Sequence, residues 1–305
     1  MASPIEVLFP DIEDAPFRLA PERRDKLKAI FDEKNIQYSF DREAMRMRFE
    51  GADLFGGLGL VYVGVRGLEH FWALCYGAMH AYRAFQANGF QATRLTVDEE
   101  GRRVAKLLDW AVAGVKDGDP AEWPNDVPKP EAAPTEMPSR LANELFLGAA
   151  GFAVLHEVGH IVQDHRMDNP PLDVRFRYEF EADEWAYNWV MDNWRDFDPD
   201  RAVHTKRVTL LACLFAMMAI NRYYQKERNE QLKKPQEILS HPNVIDRVLR
   251  FLIKHANEDS GLPARLGWGV AAAAIHMHFT AQVQAAMPKF EDFRAYFNSI
   301  RSRFD

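Results

Sequence analysis

Hydrophobic and polar positions along the chain follow mainly a helical spacing. In residues 20–35, the apolar residues Leu27, Ile30 and Phe31 recur every three to four positions, which predicts one buried helix face. The same spacing predicts helices over residues 68–85 and 99–115. After residue 139 we expect almost continuous helix, in the spans 139–166, 173–196, 200–230, 243–257, 262–286 and 289–303.

A second pattern, strict alternation, is confined to the N-terminal third. Residues 45–49 alternate apolar and basic side chains, which predicts a strand, and residues 60–63 predict a second one. The glycines between them predict a hairpin connection; a phosphate loop would need a following Lys-Ser/Thr pair. A third short strand is expected at 92–97. The fold class is therefore expected to be mainly α with a small β-hairpin or sheet near the N-terminus.

Prolines interrupt the pattern between residues 117 and 138. Each proline removes a backbone donor and restricts the preceding residue, so this stretch is not a continuous helix. We predict an N-terminal α+β region over residues 1–116, a proline-rich loop or linker over 117–138, and a helical core with C-terminal helices over 139–305. The two larger parts can still form one compact domain.

Composition narrows the function classes. The 305 residues are 47% hydrophobic, enough for a buried core, and the net charge of −7 argues against a nucleic-acid binder. The N-terminus lacks the pattern of a signal peptide, and the apolar runs fall short of the roughly 20 residues of a spanning helix. We expect a cytoplasmic protein with no membrane or nucleic-acid partner. Its two cysteines, Cys75 and Cys213, are far apart and form no CxxC motif, so a metal would need histidine and carboxylate ligands.

The segment that indicates chemistry is an HExxH motif at residues 156–160. Residues four apart share one face of a helix, so His156 and His160 can bind one Zn²⁺ together. Glu157 is rotated away from that direction, where it can serve as general base toward a water molecule. The preceding run is apolar and rich in small residues, which predicts that the motif lies on a buried helix.

A third ligand is expected from the next helix. Glu179 and Asp183 lie on one face there, and the small residues Ala182 and Ala186 would permit a close approach to the first helix. We predict that Glu179 ligates zinc and that Asp183 accepts a hydrogen bond from His156. Glu181 is the competing ligand.

One further histidine follows the motif closely. His165 lies five residues after His160, and we expect it on a different helix face, in solvent.

The two motifs together resemble a known family. HEVGH followed by EFEAD resembles the HExxH…ExxxD pattern of the gluzincin zinc metallopeptidases, which implies a zincin-like helical core, Glu179 as ligand and Asp183 behind it. Ser240-His241-Pro242 with Arg247 resembles a segment of the membrane-embedded CAAX-processing and heat-shock zinc peptidases, whose transmembrane helices this chain lacks. Among soluble families the arrangement resembles the Lit-type phage-exclusion peptidases. The likeness covers residues 145–250.

The resemblance also implies further site residues and a class of substrate. It implies that His241 stabilises the oxyanion or contacts zinc and that Arg247 orients the site; the alternative is a helix cap at His241 and a structural Arg247. It also implies a zinc endopeptidase acting on an intracellular protein, such as one of the translation apparatus. An extended substrate strand could pair with the strands at 45–49 or 60–63. The alternative function is a zinc-containing regulator that binds a partner without cleaving it.

Overall fold

The computed structural model describes residues 3–42, 49–54, 58–87, 99–117, 122–165 and 170–192, and it is mostly helical, as predicted. The remaining predicted helices, from residue 200 onward, and the strand at 92–97 lie outside the described residues. After a short 3-10 helix, Pro4–Leu8, the helices are α1 Phe9–Leu19, α2 Arg24–Glu33, α3 Val65–Ala87, α4 Glu99–Asp117, α5 Met137–Val162 and α6 Leu172–Met191.

A small mixed sheet is formed by β1 Gln37–Asp41, β2 Phe49–Leu54 and β3 Leu58–Gly64. The strand order is β1-β3-β2, with β3 parallel to β1 and antiparallel to β2. The β2–β3 pair is antiparallel, as the predicted hairpin requires, and β3 includes the predicted strand at 60–63. Strand β2, however, lies largely in the stretch that was expected to connect the two strands. Of the predicted strand at 45–49, only Phe49 is described.

The position of β3 corrects one prediction. Residues 60–63 were expected to offer an exposed edge to an extended substrate, but they lie in the central strand and pair with a strand on each side. The backbone groups of β3 are thereby used within the sheet. Among the described strands only β1 and β2 have an outer edge.

Helix α5 lies at the centre of the described structure. It packs against α1, α3, α6 and β2, and its apolar residues Phe146, Phe152 and Leu155 are buried. Contrary to the expectation from the apolar runs, length and composition alone would allow α5 to cross a membrane; most of it is nevertheless covered by other elements, as in the core helix of a globular protein. Helix α1 approaches it very closely, because a Cβ atom at Gly151 would lie 2.8 Å from the carbonyl carbon of Ala15.

The proline-rich segment is described from residue 122, and its backbone is attached to the helices around it. Arg103 donates to the carbonyl oxygen of Asp126, and Asn143 donates to that of Glu131. Trp123 packs against Trp110 with 4.7 Å between the ring centroids. These contacts hold residues 123–131 against α4 and the start of α5.

The N-terminal elements and the helices after the proline-rich segment share one hydrophobic core. Ile5, Leu8 and Val61 belong to the same buried cluster as Phe146 and Trp189. The predicted division at 117–138 therefore runs through a common core, and whether the two parts fold separately stays a prediction.

The side chain of Arg23 adds a polar link between these parts. Its Nη1 atom donates to the carbonyl oxygens of Asn188 and Trp189 at the end of α6, at 3.0 and 2.9 Å. The guanidinium also lies over the Trp189 ring, 4.7 Å from its centroid. The last carbonyl groups of a helix need such donors, so Arg23 stabilises the end of α6.

Candidate metal centre

The HExxH motif lies near the C-terminal end of α5, on its buried side. His156, Glu157 and His160 are all buried, together with the apolar residues that precede them. The four-residue spacing places both imidazoles on one face, as predicted. Burial of three such polar side chains is costly unless they have partners.

Helix α6 supplies partners for the two histidines because it packs very closely on α5. A Cβ atom at Gly159 would lie 3.2 Å from the carbonyl oxygen of Ala182 and 3.3 Å from the Trp185 ring. Ala182 and Ala186 are fully buried at this contact. Small residues on both helices thus bring the side chain of Glu179 to the two histidines.

Three donor groups converge at this contact. The Nε2 atoms of His156 and His160 are 3.1 Å apart, and the Glu179 carboxylate oxygens lie 3.4 Å from the first and 3.7 Å from the second. Bonds of about 2.0–2.1 Å in a tetrahedral zinc site imply donor separations of about 3.3 Å. The nitrogen and oxygen donors present, and their spacing, therefore fit a zinc ion with one position left for water or substrate.

Of the two candidate acidic ligands, Glu179 faces the histidines and Glu181 does not. Glu179 is 8% exposed and belongs to the group that could hold a metal, with His156 and His160. The Glu181 side chain is 42% exposed, and one of its carboxylate oxygens, Oε2, lies 3.1 Å from His165 Nε2. The geometry therefore favours Glu179 as the acidic ligand.

Asp183 lies behind His156, where the sequence pattern placed it. Its Oδ1 atom is 3.0 Å from His156 Nδ1, the ring nitrogen that points away from Glu179. A carboxylate at this nitrogen fixes the proton there and leaves the Nε2 lone pair directed at the metal position.

The two imidazoles have opposite electrostatic surroundings. Burial opposes a charge on His156, but hydrogen bonds to Asp183 and Glu179 outweigh it and raise its pKa. Burial lowers the pKa of His160, and a positive charge on His156 lowers it further. With no metal bound, a proton therefore resides on His156 in preference to His160.

His165 does not lie in solvent as expected. Its side chain is only 4% exposed, and its Nδ1 atom is 2.9 Å from Nδ1 of His160. The expectation assumed that the helix continues to residue 166, whereas α5 ends at Val162. Past that point the chain reverses, so helical face arithmetic does not apply to residue 165.

The reversal is a Schellman motif, the common way to end a helix. Asp164 has a φ of 53°, in the left-handed region, and its N–H donates to the carbonyl oxygen of Ile161. The N–H of His165 donates to the carbonyl oxygen of His160 at 3.0 Å. This pair of bonds sets residue 165 directly beside residue 160. The five-residue spacing of the two histidines at a helix end was the signal that could have identified the contact.

The roles predicted for three other site residues stay predictions. Glu157 is buried on α5, next to His156 in the chain, and its role as a base stays a prediction. His241 and Arg247 lie outside the described residues, as does Cys213. Cys75 is buried in the core, as expected.

Comparisons with known proteins agree on the class of protein. A protein-family model described as Peptidase U49 matches residues 61–271, which include α5 and α6. The chain is 28% identical to a protein of Escherichia coli (strain K12) named "Cell death peptidase", over 73% of this chain and 76% of that one. No solved structure matches the chain. The family match covers well over half of the chain, which therefore belongs to the Peptidase U49 family and is a peptidase.

Proposed function

We propose that this peptidase is a zinc-dependent metalloendopeptidase. The observation that carries the proposal is the convergence of His156 Nε2, His160 Nε2 and the Glu179 carboxylate at separations of 3.1–3.7 Å. Three ligands that leave one position open are typical of catalytic zinc sites, whereas structural sites have four protein ligands. The described residues supply three.

In the proposed reaction the protein side chains hold the site in position and transfer protons. Bound zinc supplies a Lewis acid that polarises the scissile carbonyl and acidifies water. Glu157 accepts the proton of the attacking water and donates it to the leaving amine. Asp183 holds the ring of His156 in place. We assign oxyanion stabilisation to His241 and orientation of the site to Arg247, on the motif resemblance alone.

The substrate is proposed to be an intracellular protein cut in the cytoplasm. This rests on the resemblance to the Lit-type phage-exclusion peptidases and on the peptidase relative. An extended segment of such a protein could add to the outer edge of β2, which carries no partner strand among the described residues and packs against α5. Of the two strands that the sequence pattern suggested, 60–63 is central in the sheet, and of 45–49 only Phe49, the first residue of β2, is described.

The test is the Glu157→Gln variant of the full chain. It keeps the shape of the side chain but removes the base, so we expect cleavage to fall by about 10²–10⁴-fold. Bound zinc, measured by elemental analysis, should stay at one ion per chain. Cleavage is measured as new N-termini, detected by N-terminal labelling in a bacterial lysate incubated with the enzyme, with a chelator-treated sample as control.

Two outcomes would contradict the proposal. Undiminished cleavage by the Glu157→Gln protein would show that Glu157 is not the base. Partner capture by the zinc-loaded wild type without any new N-terminus would favour the alternative function, a regulator that binds without cleaving.

A further inference from the structure

His160 has a chain of ring and carboxylate partners behind it that no part of the proposed reaction uses. From His160 Nδ1 the chain runs 2.9 Å to His165 Nδ1, and from His165 Nε2 it runs 3.1 Å to Glu181 Oε2. It begins at the ring nitrogen of His160 that faces away from the cluster with His156 and Glu179. Both imidazoles of the candidate centre are thus supported from behind, His156 by a carboxylate and His160 by a third histidine.

The direction of the hydrogen bonds in this chain follows from its last group, the carboxylate of Glu181. A carboxylate only accepts, so Glu181 takes the hydrogen bond from Nε2–H of His165. In a neutral ring the other nitrogen, Nδ1, then carries a lone pair and accepts from His160. His160 must accordingly carry its proton on Nδ1. Its Nε2 atom is left as a lone pair directed at His156 and Glu179.

The ring of His165 is fixed in this position by more than one contact. It stacks on Tyr178 of α6, with 4.2 Å between centroids and 12° between ring planes. Its backbone N–H closes the turn that ends α5. The ring is held on one side by α5 and on the other by α6, which are the two helices that carry the candidate ligands. Its orientation therefore follows the relative position of those helices.

We propose that His165, oriented by Glu181, is a positioning residue that holds His160 in the tautomer required for zinc binding. The inference rests on the proposed function, because it assigns a role toward the zinc ion. A partner behind a liganding histidine fixes its ring orientation and raises its basicity, and loss of such a partner typically costs about 10–100-fold in metal affinity.

The test measures zinc affinity of the full chain by competition with a chromophoric chelator. We expect His165→Ala to weaken zinc binding by about 10–100-fold. His165→Asn places an amide oxygen near the position of Nδ1 and should recover most of that loss. Glu181→Ala should weaken binding less, because this side chain is 42% exposed and water can replace it.

A spectroscopic readout separates positioning from packing. With Co²⁺ in place of zinc, the visible absorption reports the geometry of the ligands, and we expect His165→Ala to change it and His165→Asn to restore it. The matched control is Gln163→Ala, an exposed residue of the same turn whose side chain bonds only the Gly159 carbonyl among described groups. It should leave affinity and spectrum unchanged. Unfolding with chelator present checks that each variant folds.

The outcomes separate this inference from the proposed function. If wild-type protein binds zinc and His165→Ala binds it within twofold with the same Co²⁺ spectrum, the inference is overturned and the proposed function stands. If His165→Asn folds but binds as weakly as His165→Ala, the ring acts by packing and the inference is also overturned. A wild-type chain that binds no metal overturns both.

Discussion

The ring of His70 lies in the core, edge-on against Trp110, with 4.9 Å between the ring centroids. A Cβ atom at Gly114 would come within 2.2 Å of its Nε2 atom, so the glycine makes room for the ring. Its Nδ1 atom has no hydrogen-bond partner among the described residues. Burial, and to a lesser degree the charge of Arg66, lowers the pKa of His70 to about 4.

This shift predicts a loss of stability in mild acid. Between pH 6.5 and pH 4 the unfolded chain binds a proton at residue 70 and the folded chain does not, so the free energy of unfolding falls as the pH falls. From pH 7 to pH 5 the expected loss is about 2 kcal/mol. Urea unfolding of wild type and His70→Leu, with chelator present, measures it. Equal pH slopes for the two proteins would contradict the prediction.

At the residue scale, the sequence predicts the members of the candidate metal cluster and Asp183, the partner of His156, but not His165, the partner of His160. His156, His160, Glu179 and Asp183 follow from helix periodicity, because each contact lies within one helix or across one close helix pair. His165 lies beyond a helix end. The end of α5 was not recognisable from the sequence, because the left-handed position after the helix is occupied by Asp164 and not by glycine, the usual signal.

At the scale of elements, the geometry of the candidate metal cluster depends on the distance between α5 and α6. Gly159 is the residue of α5 that sets it, since its missing side chain lets the backbone of Ala182 approach. No side chain larger than hydrogen fits at ordinary contact distance there. The small residues Gly159, Ala182 and Ala186 together allow this close approach of the two helices.

The expected consequence is that Gly159→Ala weakens zinc binding while the helix itself becomes more favourable. Alanine improves helix propensity by about 1 kcal/mol, yet its Cβ pushes α6 outward and moves Glu179 from the histidines. We expect about a tenfold loss of zinc affinity, of the size seen when a ligand is poorly held. Gly148→Ala, which adds the same methyl group to the same helix 11 residues before Gly159, is the control for helix propensity. Equal affinities of the two variants would refute the argument.

The helices were predictable as elements, whereas the sheet was predicted only in part. The spans of α3 to α6 follow from a period that each helix carries within itself. Strand β1 was missed although Tyr38 and Phe40 alternate with polar residues. It is only five residues long, and it is defined by parallel pairing with β3, some 20 residues away. Helix α1 was missed as well, and it contains Pro16, a residue that usually interrupts helices.

At the scale of the whole molecule, the N-terminal residues complete the core around α5. Ile5, Leu8 and Ile12 are fully buried in the cluster that includes Phe146. Ser3 donates a hydrogen bond to the buried carboxylate of Glu69 on α3. No local sequence signal marks contacts between residues so far apart, which is why the sequence could propose a boundary at 117–138 without showing whether it separates two folding units.

This arrangement predicts that residues 117–305 do not form the proposed zinc site alone. Each of the large buried side chains of α1, Ile12 and Leu19, contributes about 1.5–3 kcal/mol, and removal of α1 exposes the face of α5 that it covers. The expressed fragment should show neither cooperative unfolding nor one bound zinc per chain. Co-expression with residues 1–116 should restore zinc binding. A fragment that folds and binds zinc alone would instead establish 117–138 as a domain linker.

The packing of α1 along α5 also has a consequence for synthesis of the chain. Helix α1 emerges from the ribosome roughly 140 residues before α5 is complete, a delay of about 7–30 s at ordinary rates of translation. Through that interval its apolar face is exposed and open to aggregation or to chaperones. Because α6 follows α5, the three candidate ligands exist together only on nascent chains longer than 179 residues. If the proposed function holds, a growing chain therefore stays inactive at least until residue 179 has been added.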